Sequence, residues 1–217
     1  FSEYDRTFCI VRSHLVSFIK ESQPEKWQKL EERHGSEVEN KVVKLISDQL
    51  SKRGVIDCLR NPVIDQGVYL DLYYPKPKSN LNPDHDSLYR SNQFSVVRQL
   101  HYSNKNNNSI DMGLFLNGLP IVTMELKNQL SGQNFIHSQN QYKFDRDPSE
   151  PLLKFKRCIV HFCVDNDKVS MTTKLNGPKT FFLPYNKGIE NPVIEGGGYR
   201  TEYLWKEVLT PDSLLDI

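Results

Sequence analysis

The stretch that decides the fold is residues 109–127, which reads SIDMGLFLNGLPIVTMELK. Two apolar segments flank the dipeptide Asn117-Gly118, and an Asn-Gly pair between apolar segments is a strong signal for a β-hairpin. The first segment carries Asp111, and the second ends in Glu125-Leu126-Lys127. The hairpin therefore brings charged side chains to the same end of two apolar strands.

The register of this hairpin decides whether the charges meet. Side chains alternate between the two faces of a strand, so Glu125 and Lys127 share one face. A regular two-residue turn would set Asp111 opposite Met124, on the other face, and a slip of one residue would set it opposite Glu125. Because Pro120 has no N–H for a regular ladder, we predict a bulge or a three-residue loop.

In the slipped register the hairpin combines two carboxylates, Asp111 and Glu125, with the ammonium group of Lys127. Two hard oxygen ligands beside one cation suit Mg²⁺ next to a phosphate. A simpler interpretation stays open at this point, because an E-x-K triplet is common. Asp111 would then end a turn, and Glu125 and Lys127 would be a solvated pair on an edge strand.

The rest of the chain interleaves helices and strands without an internal repeat. Apolar residues three and four positions apart predict helices in the N-terminal third, of which residues 36–53 form the clearest, ended near Gly54. Ser36 and Glu39 have the spacing of a capping box at its start. This alternation predicts an α/β domain with a mixed sheet flanked by helices.

The remaining elements are predicted from changes of period and from turn residues. We expect a helix between residues 132 and 145 and loops at 75–92 and 190–198. We expect strands at 68–73, 94–102, 158–164, 168–173 and 180–183.

Length and composition limit the classes of protein. The 217 residues suffice for one large domain, and no stretch is apolar enough to span a membrane. The 28 Lys and Arg nearly balance the 27 Asp and Glu, so any polyanion must bind to a local patch. Cys158 and Cys163 lie in an apolar run without a C-x-x-C pair, which favours core thiols in a reduced, cytoplasmic compartment. His161 lies in the same run and is expected to be a core histidine.

The sequence resembles the PD-(D/E)xK nuclease superfamily, and more narrowly the N-terminal nuclease region of type I restriction enzyme R subunits. The likeness spans nearly the whole chain, from the opening residues 2–6 to the closing residues 204–205 and 213–216. Between these ends it is carried by residues 109–111, 116–120, 125–128, 141–143 and 145–148.

The resemblance implies a restriction-endonuclease-like fold and a catalytic triad of Asp111, Glu125 and Lys127. It implies that the two carboxylates and the backbone carbonyl of Leu126 hold Mg²⁺, and that Lys127 orients the attacking water at a DNA phosphodiester. Some relatives add a Q-x-x-x-Y element in the next helix. Here Ser138 stands four residues before Tyr142, so Gln141 with Tyr142 is a weaker match to that element.

Other residues allow a functional and a structural interpretation. Glu39 would approach the metal as an upstream glutamate does in some related nucleases, or it would only complete the capping box. Five basic residues would contact DNA phosphates, or they would form a solvated face. These five are Lys143, Arg146, Lys154, Lys156 and Arg157.

The resemblance also implies what lies outside this chain. The Gly-rich run 196–198 lacks the lysine of a phosphate-binding loop, so the ATP-driven motor of an R subunit would be a separate, missing region. We expect a helical extension at 1–35, the nuclease core at 36–185 and a segment leading to the motor at 186–217. Expected partners are double-stranded DNA and the methyltransferase (M) and specificity (S) subunits. Two alternatives stay open: a non-catalytic docking or DNA-binding domain, and a standalone resolvase-like nuclease.

Overall fold

The computed structural model describes residues 3–78, 82–128 and 132–216. The strands are β1 (Tyr4–Asp5), β2 (Ile10–Val11), β3 (Val63–Asp65), β4 (Val68–Leu70), β5 (Phe94–His101), β6 (Ser109–Leu116), β7 (Leu119–Leu126), β8 (Val160–Val164), β9 (Val169–Thr172) and β10 (Leu183–Pro184). The α-helices are α1 (Arg12–Ser22), α2 (Pro24–His34), α3 (Val38–Arg53), α4 (Val55–Arg60), α5 (Pro83–Arg90), α6 (Phe135–Asn140) and α7 (Pro211–Leu215). The chain also forms a 3-10 turn at Gly35–Glu37 and π-helical turns at Gln141–Asp145 and Leu204–Val208.

The centre of the molecule is a six-stranded sheet in the order β10-β9-β8-β7-β6-β5. β7 and β8 run parallel, and the other neighbours run antiparallel. The parallel step needs a crossover, and the chain between β7 and β8 contains α6, which packs against both strands. The predicted α/β class with a mixed sheet and flanking helices is confirmed.

Apolar side chains fill two clusters in the core. The larger cluster joins α1 to α4 with β7 side chains such as Val122 and Met124. The smaller cluster contains Phe115 of β6, Tyr142 and Cys163. All four cysteines are buried and free, which agrees with the predicted role of Cys158 and Cys163 as core residues. Among the described residues, no helix has the length and apolar character needed to cross a membrane.

The hairpin of β6 and β7 contains the predicted slip. Leu116 pairs with Leu119 around a two-residue turn, but Met112 pairs with Met124, and the register shifts between Leu114 and Phe115. Phe115 faces Pro120 while Leu114 faces Val122, so Ile121 is the extra residue of a bulge in β7. Continuing the register by one residue places Asp111 opposite Glu125. The prediction of an irregular hairpin is confirmed, in its bulge form.

Several local predictions were wrong. The capping box does not form, because Ser36 lies in the 3-10 turn and α3 begins at Val38 without a side-chain cap. The predicted loop at 75–92 contains α5, whose first turn is capped by the Asn82 side chain; residues 79–81 lie outside the described residues. The predicted strand at 68–73 ends at Leu70. The helix predicted between 132 and 145, in contrast, is confirmed, as α6 followed directly by the π-helical turn.

Candidate active site

Asp111 lies in β6 at the end of the hairpin away from the turn, and its carboxylate is held by two donors. The backbone N–H of Leu126 donates to Oδ2 over 2.8 Å. The side-chain amide of Gln99, in β5, donates to Oδ1 over 3.1 Å. Each oxygen therefore has one protein donor, and the side chain remains half-exposed.

Glu125 lies in β7 and is fully buried, with 0% of its surface exposed. Burial raises its pKa from 4.5 to about 7; the charge of Arg146 lowers the pKa and the charge of Asp111 raises it. Its Oε1 atom accepts a hydrogen bond from Arg146, whereas Oε2 is buried with no hydrogen-bond partner among the described residues. A buried carboxylate oxygen without a partner is costly unless a ligand completes it.

Arg146 is the cation that contacts Glu125. Its Nε and Nη2 atoms both lie 2.8 Å from Oε1 of Glu125, and Nη2 also donates to the carbonyl of Ser109 over 2.8 Å. The Arg146 side chain is only 9% exposed. Arg146 comes directly after the π-helical turn, and the course of this turn brings its guanidinium next to the hairpin.

Lys127 follows directly after β7, and its backbone N–H donates to the carbonyl of Val164 over 2.8 Å. This bond attaches the end of the hairpin to β8. Strand alternation places the Lys127 side chain on the face of Glu125. Its ammonium makes no hydrogen bond or ion pair with the described residues.

The π-helical turn contains Gln141 and Tyr142, the two residues that the sequence analysis matched to the Q-x-x-x-Y element. Tyr142 is fully buried, and its hydroxyl lies 2.8 Å from Oγ1 of Thr123 in β7. Oγ1 also lies 2.6 Å from Nδ1 of His161, whose pKa is lowered to about 4 by burial. His161 is thus a hydrogen-bonded core residue, as expected. Gln141 has a buried Oε1 atom without a hydrogen-bond partner in the described part of the chain.

Glu39 is placed apart from these residues. It lies in the first turn of α3, and its carboxylate accepts from Lys20 of α1 over 2.8 Å. Both side chains are well exposed. The structure therefore gives Glu39 a surface ion pair rather than the predicted capping contact.

The five basic residues proposed to contact DNA do not form one surface. Arg157 is buried, and its guanidinium donates to the carbonyls of Phe8 and Ser47, so it stabilises the fold and its place in that set was wrong. Arg146 is committed to Glu125. Lys154 and Lys156 are exposed and Lys143 is half-exposed, and their role on DNA stays a prediction.

Asp111, Glu125 and Leu126 lie at one end of the hairpin, where their carboxylates and backbone carbonyl would offer only oxygen donors to a cation. Within the described residues, no group of three or more His, Cys, Asp or Glu side chains is arranged to hold a metal. Mg²⁺ commonly uses one or two carboxylates and completes its shell with water and substrate oxygens. The unpartnered Oε2 of Glu125 and the oxygen ligands therefore fit Mg²⁺.

A cleft of about 360 Å³ adjoins this site and is lined in part by Asn108, Lys143 and Arg146. A larger cavity of about 540 Å³ lies between α4 and residues 155–159. The larger cavity contains none of the hairpin charges. The smaller cleft is not lined by the hairpin charges either, but it includes Arg146, which contacts Glu125.

The α/β fold, its mixed sheet and the charged end of its hairpin are consistent with the class of restriction-endonuclease-like domains. The chain matches the family model of the type I restriction enzyme R protein N terminus over residues 17–180, more than half of its 217 residues. The chain therefore belongs to this family. No similar protein was found among curated proteins.

Proposed function

We propose that this domain is the endonuclease of a type I restriction enzyme R subunit and hydrolyses DNA phosphodiester bonds with Mg²⁺. The observation that carries the proposal is the fully buried Glu125, whose Oε2 lacks a partner, beside Asp111. A buried carboxylate oxygen without a partner is costly to the fold, and a bound ion is one physical reason to retain it. A divalent cation at this point supplies the missing partner.

Each residue of the site has a distinct task in this proposal. Asp111, Glu125 and the Leu126 carbonyl would hold Mg²⁺. When bound, Mg²⁺ offsets phosphate charge and lowers the pKa of a bound water. Lys127 would orient the attacking water and donate to the negative charge that develops on the phosphate.

Arg146 orients Glu125 and lowers the pKa of its carboxyl group. Even with Arg146 beside it, Glu125 has a pKa of about 7, so without a bound cation it would be protonated in a large fraction of molecules at neutral pH. The guanidinium favours the ionised form and fixes Oε1, so Oε2 remains for the metal. Because both guanidinium bonds go to one oxygen, the ion pair does not block the other.

We further propose that the domain acts within a larger complex, as its family membership suggests. In that setting the R subunit would couple cleavage to ATP-driven translocation by its motor region, with the M and S subunits supplying site recognition and modification. We expect the isolated domain to cut DNA poorly, because translocation would deliver the strand to the site.

The proposal is tested in the complete R subunit assembled with its M and S subunits. Asp111→Asn, Glu125→Gln and Lys127→Met should each reduce DNA cleavage by at least about 100-fold, while the rate of ATP hydrolysis stays at the wild-type value. Lys29→Met, at an exposed position of α2, is the matched control and should cleave normally. Undiminished cleavage by a folded Lys127→Met protein would refute the catalytic role of Lys127.

One observation favours the docking alternative, in which the domain has no catalytic role. Among the described residues the site offers two carboxylates, and Arg146 already neutralises one of them. Binding of Mn²⁺ to the 217-residue chain separates the two functions, because a docking domain needs no metal. A standalone resolvase-like nuclease would instead cut DNA without ATP or partner subunits.

A further inference from the structure

Gln99 has an unusual backbone conformation for a residue inside a strand. It lies in β5, at the edge of the sheet, with φ at +48°. Residues other than glycine rarely adopt a left-handed backbone, and glutamine has no special preference for it. Such conformations persist where the surrounding structure imposes them, and they concentrate at functional sites.

The register of the sheet places this residue directly at the candidate active site. Arg98 pairs with Met112 and Leu100 pairs with Ile110, so Gln99 stands opposite Asp111. Val97 and Leu100 belong to the same buried cluster although they are three positions apart. A regular strand would send them to opposite faces, so the left-handed residue lets both pack inward while its own side chain reaches Asp111.

The Gln99 side chain makes two hydrogen bonds that fix its orientation. Its Nε2 atom donates to Oδ1 of Asp111 over 3.1 Å, and its Oε1 atom accepts from the hydroxyl of Ser109 over 3.0 Å. The Ser109 hydroxyl thereby directs the NH₂ end of the amide toward the carboxylate. Together with the backbone N–H of Leu126 on Oδ2, the amide clamps both oxygens of Asp111.

We propose that Gln99 is a positioning residue that orients Asp111 as a metal ligand, a role that rests on the proposed nuclease function. A neutral amide suits this role better than a lysine or arginine would, because it holds the carboxylate without reducing the negative charge offered to a cation. One lone pair on each oxygen remains for the metal. The strained backbone at residue 99 is retained because the amide must arrive from this point of β5.

The chain contains a matched control for this proposal. Gln66, in the turn between β3 and β4, has φ at +47°, almost the same as Gln99. Replacing either glutamine by glycine relieves the same backbone strain. Only Gln99→Gly removes an amide from Asp111.

The experiment is a calorimetric titration of Mn²⁺ into the 217-residue chain, combined with thermal unfolding. Gln99→Gly should weaken Mn²⁺ binding roughly 10-fold or more, as loss of a group that orients a metal ligand typically does. Gln66→Gly should bind Mn²⁺ as the wild type does. Both variants should melt within about 4 °C of the wild type.

The outcomes separate this inference from the proposed function. Wild-type Mn²⁺ affinity in Gln99→Gly overturns the inference and leaves the nuclease proposal standing. A wild-type chain that binds no Mn²⁺ overturns both. If Gln99→Gly does not fold, Ser109→Ala decides, since it releases the amide without changing the backbone: a several-fold loss of affinity supports the inference, and unchanged affinity overturns it.

Discussion

Glu125 is the residue of the candidate site whose burial and pairing have the clearest energetic consequences. It is fully buried, paired through one oxygen and unpartnered at the other. Burial of a charge is unfavourable unless pairing compensates it. Without a metal the protein therefore holds Glu125 in a state that pH can change near neutrality.

The first prediction follows from the pKa of Glu125, which is about 7 in the folded chain against an ordinary value of 4.5. The folded state holds this proton more tightly than the unfolded state does. Glu125 therefore contributes stability that is fully present below pH 4.5 and is lost as the pH rises through 7. We predict that this contribution to the free energy of unfolding, measured with urea in the presence of a chelator, declines over that range.

The reference for this measurement is Glu125→Gln, which has no proton to lose. The unfolding free energy of the wild type minus that of Glu125→Gln should fall as the pH rises from 5 to 7.5. The difference is needed because His161, with its pKa lowered to about 4, contributes stability at high pH that is lost on acidification. A difference that stays constant over this range would contradict the pKa of Glu125.

At the scale of single residues, the sequence predicts the acidic and basic members of the site but not their supports. Asp111, Glu125 and Lys127 follow from an apolar hairpin that ends in charges. Gln99 has no signal in the sequence, because nothing in a strand pattern marks a glutamine as left-handed. Arg146 was expected on DNA, and only the three-dimensional course of the π-helical turn brings it to Glu125.

At the scale of elements, the turn of the hairpin positions the site by packing against the N-terminal segment. Gly118 has φ at +80°, and its carbonyl accepts from the backbone N–H of Val11 over 2.9 Å. A Cβ atom at Gly118 would lie 2.4 Å from the carbonyl oxygen of Val11 and 2.8 Å from the backbone nitrogen of Leu15. These are backbone atoms, which cannot rotate away.

The second prediction concerns this turn. Gly118→Ala should lower the free energy of unfolding by roughly 3 kcal/mol or more, because left-handed strain adds to overpacking against backbone. Gly67→Ala is the control, since Gly67 has φ at +86° with nothing near the new Cβ atom. It should cost only about 1 kcal/mol. Equal losses in urea unfolding would contradict the close packing of the turn against β2 and α1.

Local signals explain which elements could be foreseen. The hairpin and its slip followed from Asn117-Gly118 and Pro120, whose backbone restrictions act wherever they occur. The helix α5 had a start signal in Asn82 and Pro83, but the surrounding prolines and asparagines suggested a loop. The capping box failed because its spacing alone does not fix where a helix begins, and a 3-10 turn took the place of its first residues.

At the scale of the whole molecule, the near-zero net charge of +1 means that DNA must be held by local patches. Residues 127–188 contain ten Lys and Arg against five Asp and Glu. Burial removes Arg157 from this group, and Arg146 is paired. The exposed Lys154 and Lys156 and the half-exposed Lys143 remain from that set, and their contact with DNA stays a prediction.

The third prediction is that Lys154→Glu weakens binding of the chain to duplex DNA and lowers the slope of log affinity against log salt by about 1. The exposed Lys29 of α2 supplies the control, because Lys29→Glu makes the same charge change on a helix of the other core cluster. A salt slope that falls equally in both variants would indicate a general charge effect rather than a phosphate contact.

The most direct test of the central claim is a crystal structure of the chain soaked with Mn²⁺, with the ion located by anomalous scattering. We predict one peak bound by the Asp111 carboxylate and by Oε2 of Glu125, with Arg146 still on Oε1. A protein crystallised with both carboxylates ordered, and with no Mn²⁺ between them at saturating concentration, would contradict the account.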